Sequence, residues 1–100
     1  MSARFAFTAK IWRYPGEAAA WHLVTVPKLK SKQMRTLSQG LRNAFGSLRV
    51  IATIGKTSWR TSVFADTKAR AFLLPVKAEV RKKEKIGHGD TGEVTLEIEL

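Results

Sequence analysis

From Glu93 to the end the chain alternates without a break. Val94, Leu96, Ile98 and Leu100 are apolar, while Glu93, Thr95, Glu97 and Glu99 are polar. A period of two belongs to a β-strand, whose successive side chains point to opposite faces. The segment therefore predicts a half-buried strand with an acidic outer face. The Gly87-His88-Gly89-Asp90 stretch before it predicts the reversal that feeds it.

The same grammar of short strands and turns runs through most of the sequence. Phe5, Phe7, Ala9 and Ile11 alternate with Ala6, Thr8, Lys10 and Trp12, a strand that ends at the Tyr14-Pro15-Gly16 turn. Residues 21–26 form the returning strand, stopped by Pro27. Residues 48–54, residues 59–64, and residues 72–74 running on through Pro75 to Val80 read as the middle strands. Pro75 cannot donate to a ladder and marks a bulge or an edge. Residues 32–45 change period: Met34, Leu37, Leu41, Ala44 and Phe45 recur at the spacing of one helical face. Ser31 is the expected N-cap of this helix and Gly46 the residue past its end, with Gly40 a cost of about 1 kcal/mol inside it.

These elements predict one mainly-β domain over residues 1–100, a small closed or split β-barrel of about six strands with one amphipathic helix. One hundred residues, 44% hydrophobic and 26% charged, suffice for a single core. No cysteine is present, which excludes disulfides, thiolate metal sites and thiol catalysis and fits a reducing compartment. No stretch of 18 apolar residues predicts a transmembrane span, and the alternating first nine residues do not read as a signal peptide, so a cytoplasmic protein is expected. The charge is lopsided. Lys and Arg number 18 against 8 acids, a net of +10, and residues 1–60 carry the whole excess, with Glu17 their single acid. Such a field attracts nucleic acid, anionic lipid or an acidic protein, or it serves solubility alone.

No catalytic centre is recognisable. Gly55-Lys56-Thr57 lacks the earlier glycine of a phosphate loop, because that position is Val50, and reads as a hairpin turn. The two histidines, His22 and His88, are too few for a metal site, and no cofactor motif is visible. Ser62, His88 and Asp90 could be drawn as a triad, but neither a nucleophile elbow nor an oxyanion hole accompanies them. Of the three tryptophans, Trp21 reads as core, whereas Trp12 and Trp59 are open between core and surface. Two constellations remain. Lys28, Lys30, Lys32, Arg35 and Arg42, on or before the helix, suit phosphate contact, with Lys32, Arg35 and Arg42 in one quadrant opposite Met34, Leu37 and Leu41. Trp59, Thr61, Ser62, Lys77 and Arg81 suit a ligand pocket at a barrel mouth. Lys77 and Arg81 are also expected on a strand face with Glu79, pairing across a ladder with Glu97 or Glu99.

Three spaced motifs carry a family resemblance. Residues 52–64 (ATIGKTSWRTSVF), residues 74–82 (LPVKAEVRK), and Ile86 followed by Gly89-Asp90 resemble the bacterial family called domain of unknown function nineteen-oh-five, as does Trp21 with Val26-Pro27. The resemblance implies a split β-barrel capped by helix, similar to AbrB-like transcription-factor and antitoxin barrels. It also implies a bacterial cytoplasmic protein, joined in some relatives to a region resembling bacteriocin-protection proteins. It implies no established activity. Three readings follow: a non-enzymatic module for an anionic partner, nucleic acid leading; a small-molecule binder or weak enzyme at the barrel mouth; and a protein-interaction domain, monomeric or pairing strand edges as a homodimer.

Overall fold

The computed structural model of the chain describes residues 1–15, 21–40 and 46–99. Among them the elements run β1 (Ser2–Arg13), β2 (His22–Thr25), α1 (Lys28–Leu37), β3 (Ser47–Ile54), β4 (Thr57–Asp66), β5 (Ala71–Pro75), α2 (Ala78–Glu84) and β6 (Thr91–Glu99). The strands close into a mainly-β barrel in the order β1-β2-β5-β4-β3-β6, with every pairing antiparallel. Strand β6 pairs along its whole length with β1, from Ser2 opposite Glu99 to Lys10 opposite Thr91. Its Val94, Leu96 and Ile98 are buried and Glu93 and Glu99 are exposed, as the alternation dictates.

The register decides what faces inward. Phe5, Leu96, Ala52 and Trp59 lie in one row across β1, β6, β3 and β4, and Ile11, Val24 and Leu74 lie in another across β1, β2 and β5. These rows and their neighbours fill the small barrel with Leu, Val, Ile, Phe and Met34. Each fully buried side chain of this size contributes about 1.5–3 kcal/mol relative to exposure. Outward rows are polar over β6, where Arg4 pairs with Glu97 at 3.5 Å. Gly55 and Lys56 form the two-residue turn between Ile54 and Thr57, and the φ of Gly55, 60°, is the conformation such a turn demands of its first residue.

Three expectations are corrected. The first is the span of the helix. It starts at Lys28 and ends at Leu37, because Pro27 (φ −52°) already sets the backbone for a first turn closed by Ser31 N–H on the Pro27 carbonyl at 2.8 Å. Ser31 is no N-cap. It lies fully buried inside the helix, its hydroxyl donating to the Val26 carbonyl (3.2 Å) and accepting from the Phe72 N–H (3.0 Å). Met34 is 0% exposed, as expected, but Leu37 is 47% exposed, since the helix packs through Ser31, Met34 and Ser38. Gly40, at φ 86°, is past the helix, and Leu41, Arg42, Ala44 and Phe45 lie outside the described residues.

The second correction is that the strand expected to continue from Pro75 to Val80 stops at Pro75, and residues 78–84 form a second helix. Val76 and Val80 are four apart and both buried, a spacing that serves a helix as well as a strand. Proline lacks the N–H that would carry the ladder further. Lys77 therefore meets Glu79 at 3.8 Å, Glu97 is taken by Arg4, and neither Lys77 nor Arg81 pairs across a ladder with β6.

The third is Trp21, expected in the core, which is 54% exposed beside β2. Trp12 sits half-buried on the outer face with its indole N–H on Thr25 Oγ1 at 3.0 Å. Trp59 faces inward, half-buried, and packs against the core.

Candidate functional site

The two ends of the barrel are dressed differently by the chain. Helix α1 follows the far end of β2 and packs against β5, whose first residue Ala71 pairs with Asp66 at the end of β4. Helix α2 follows the other end of β5 and reaches the start of β4. There Glu84 accepts from Thr57 Oγ1 (2.5 Å) and weakly from the Lys56 N–H (3.4 Å), fastening the helix to the β3–β4 turn. Lys85, at φ 54°, ends α2, and the Ile86 N–H closes on the Arg81 carbonyl at 3.1 Å.

Between these fastenings one ladder of the closed barrel is short. Strand β4 pairs with β3 from Ser47–Phe64 to Ile54–Thr57, but with β5 only over Phe64, Ala65 and Asp66. Strand β5 ends at Pro75, and residues 57–63 of β4 make no ladder pairing with it. A cleft of about 370 Å³ opens at this seam. It is lined by Trp59, Arg60 and Thr61 from β4, by Pro75 to Ala78 with Arg81 from the β5–α2 passage, and by Trp21 and His22 from the start of β2.

Four of the five residues expected at a barrel mouth thus meet in one cleft: Trp59, Thr61, Lys77 and Arg81. The fifth, Ser62, does not. It stands opposite Arg49, while the inward neighbours Thr61 and Val63 stand opposite Val50 and Leu48, which puts Ser62 on the outer face. The helix at residues 78–84 is what joins Lys77 to Arg81, since four residues make one turn. Arg81 is half-buried and its Nε–H donates to the Val76 carbonyl at 3.2 Å, which fixes the guanidinium plane. Among the described residues the ion pairs are Arg4–Glu97 and Lys77–Glu79, so Arg60 and Arg81 carry uncompensated charge at the cleft. Trp21 and His22 were not expected there, and no local pattern signalled them, because β2 is not a neighbour of β4 in the barrel.

The second constellation lies elsewhere. Lys28, Lys30, Lys32 and Arg35 are all on α1, at the end of the barrel away from Trp59, and Arg42 is outside the described residues. Phosphate contacts on α1 and a base stacked on Trp59 therefore do not share one surface. The drawn triad is not assembled either. His88 Nδ1 accepts the Arg13 N–H (3.0 Å), Asp90 Oδ2 accepts the Gly87 N–H (2.8 Å), and both serve the turn before β6. Among the described residues no three of His, Asp and Glu are placed to hold a metal ion, and no helix is long and apolar enough to cross a membrane.

An indole beside one hydrogen-bonded guanidinium, Arg81, and the more exposed Lys77, in a cleft of small-molecule size, can stack a flat π-system and hold an anionic group beside it. No curated protein matches the chain. Residues 7–96, from β1 to β6, match the family model for the domain of unknown function DUF1905, and the chain, sharing the barrel its motifs implied, belongs to the DUF1905 family.

Proposed function

We propose that this chain is a non-enzymatic binding module whose β4–α2 cleft takes a partner combining a flat ring with an anionic group. That is the chemistry of a nucleotide, free or within a single strand. The observation that carries the reading is the convergence of Trp59 with Lys77 and Arg81 in one cleft, with exposed Arg60 at its rim. Stacking on an aromatic contributes about 1–3 kcal/mol per base, and the cations supply a salt-dependent term that needs no sequence code. In the bacterial cytoplasm that the family resemblance implies, such partners abound.

The test is fluorescence anisotropy with labelled single-stranded DNA, RNA and duplex DNA at low and physiological salt, with a mononucleotide as competitor. Single-strand binding that survives physiological salt and falls about tenfold or more in Trp59→Ala and Arg81→Ala supports the reading. Displacement by the mononucleotide identifies the free ligand as sufficient; its failure assigns the strand. Binding that ignores both substitutions and fails with Lys32→Ala/Arg35→Ala moves the site to α1 and removes the cleft from the account.

A further inference from the structure

Helix α1 is buried on a face that contains no leucine. Ser31, Met34 and Ser38 point to the barrel, and its two leucines do not: Leu29 is 68% exposed and Leu37 47%. At about 100° per residue Leu29, Gln33 and Leu37 fall within about 80° of one another on the outward side. They rim a shallow hollow whose floor is Phe5 and whose other walls are Lys32 and Thr36.

Cations flank this ridge. Lys28 and Lys32 lie along one side of it and Lys30 along the other, by the same angular count. No acid occurs anywhere in α1, and among the described residues none of Lys28, Lys30, Lys32 and Arg35 makes an ion pair. The β4–β5 connection at the same end adds exposed Lys68 and Arg70. Its one carboxylate, Asp66, is occupied by the backbone N–H groups of Lys68 (3.1 Å) and Ala69 (3.5 Å).

We propose that the outward face of α1 docks this protein on an anionic lipid bilayer. Leu29 and Leu37 enter the boundary between headgroups and acyl chains, and Lys28, Lys30 and Lys32 meet the phosphate headgroups. A leucine ridge between lysine flanks is the arrangement of a helix lying in a membrane interface, where apolar area and headgroup charge act together. A nucleic-acid backbone would use the lysines and leave the leucines in water. A second copy of the chain would bring two unpaired lysine sets and two net charges of +10 face to face. The bilayer is the occupant that uses both features. The surface is independent of the β4–α2 cleft, which lies at the other end of the barrel.

The test is co-sedimentation with vesicles of phosphatidylcholine alone and of phosphatidylcholine with phosphatidylglycerol, at physiological salt. The expected result is partition onto the phosphatidylglycerol vesicles only, reduced about tenfold or more by Leu29→Ser/Leu37→Ser, which leaves the charge unchanged. Trp59→Ala should leave partition intact. Because the chain has no cysteine, Gln33→Cys can carry a single environment-sensitive dye, whose emission should shift to the blue on these vesicles while a dye at Thr8→Cys on the outer face of β1 does not. Adsorption that survives the leucine substitution and vanishes with added salt would overturn the proposal, leaving simple attraction of a basic protein. Loss of partition in Trp59→Ala, equal partition onto both vesicles, or none on either would overturn it as well. A fall in oligonucleotide affinity on replacing Lys28 and Lys32, with no vesicle binding, would give the face to nucleic acid instead.

Discussion

The two ends of the barrel carry helices of different character, α1 with ten residues and α2 with seven. At one end α1 seals the core: Met34 is 0% exposed, and Ser31 supplies the hydrogen bond that the Phe72 N–H would otherwise lack inside it. At the other end α2 buries Val80 but is held at the surface by a carboxylate on a turn, Glu84 on Thr57 and Lys56. At the first end the buried face of α1 combines Met34 in the apolar core with the hydroxyls of Ser31 and Ser38, both hydrogen-bonded to the backbone. Val76, Val80 and the polar latch of Glu84 hold α2, and the cleft lies between it and β4. On the proposed reading, the cleft and the packing around Met34 lie at opposite ends of the barrel, so a ligand at one need not disturb the other.

The largest test of this contrast is Met34→Ala. The cavity it leaves in the sealed end should cost about 2–5 kcal/mol, read as a shift of the urea midpoint. A loss under about 1 kcal/mol would mean that α1 is a surface attachment like α2. Next comes Ser31→Ala, which strands the buried Phe72 N–H and should cost about 1–3 kcal/mol by the same measurement. No loss there would show that the seal is apolar contact alone.

The smallest effect concerns the latch. Gly55 holds φ 60°, and a Cβ there would run into the Glu84 carboxylate. Gly55→Ala should cost about 1–2 kcal/mol, and the cost should shrink in a Glu84→Ala background, where only the backbone penalty remains. Equal costs in both backgrounds would show that α2 is not held through that carboxylate.

Much of this was legible beforehand, and the misses share a cause. The alternation in β6, the Gly55 turn and the count of strands follow from side-chain period and turn chemistry, which are local, while the turn expected at Pro15-Gly16 runs outside the described residues. The passage after Pro75 was misread because Val76, Ala78 and Val80 alternate with Lys77, Glu79 and Arg81 over too few residues to separate a period of two from one of 3.6. Trp21 and Leu37 were misplaced because large apolar side chains signal burial only on average, and nothing in their neighbours told which face would be covered. Of the cleft, the sequence held the residue types, but the fold had to exclude Ser62 and add Trp21 and His22.

By itself the sequence determined that this is a basic, mainly-β domain of a small closed or split barrel, since periodicity, turn residues and charge are written residue by residue. The pairing of β1 with β6 decided that it closes. Only the tertiary structure decided that Trp59 and Arg81 share a cleft while the α1 lysines look the other way. That outcome depends on where β5 leaves its ladder and on which helix covers which end, contacts between residues far apart in the chain that no local pattern encodes.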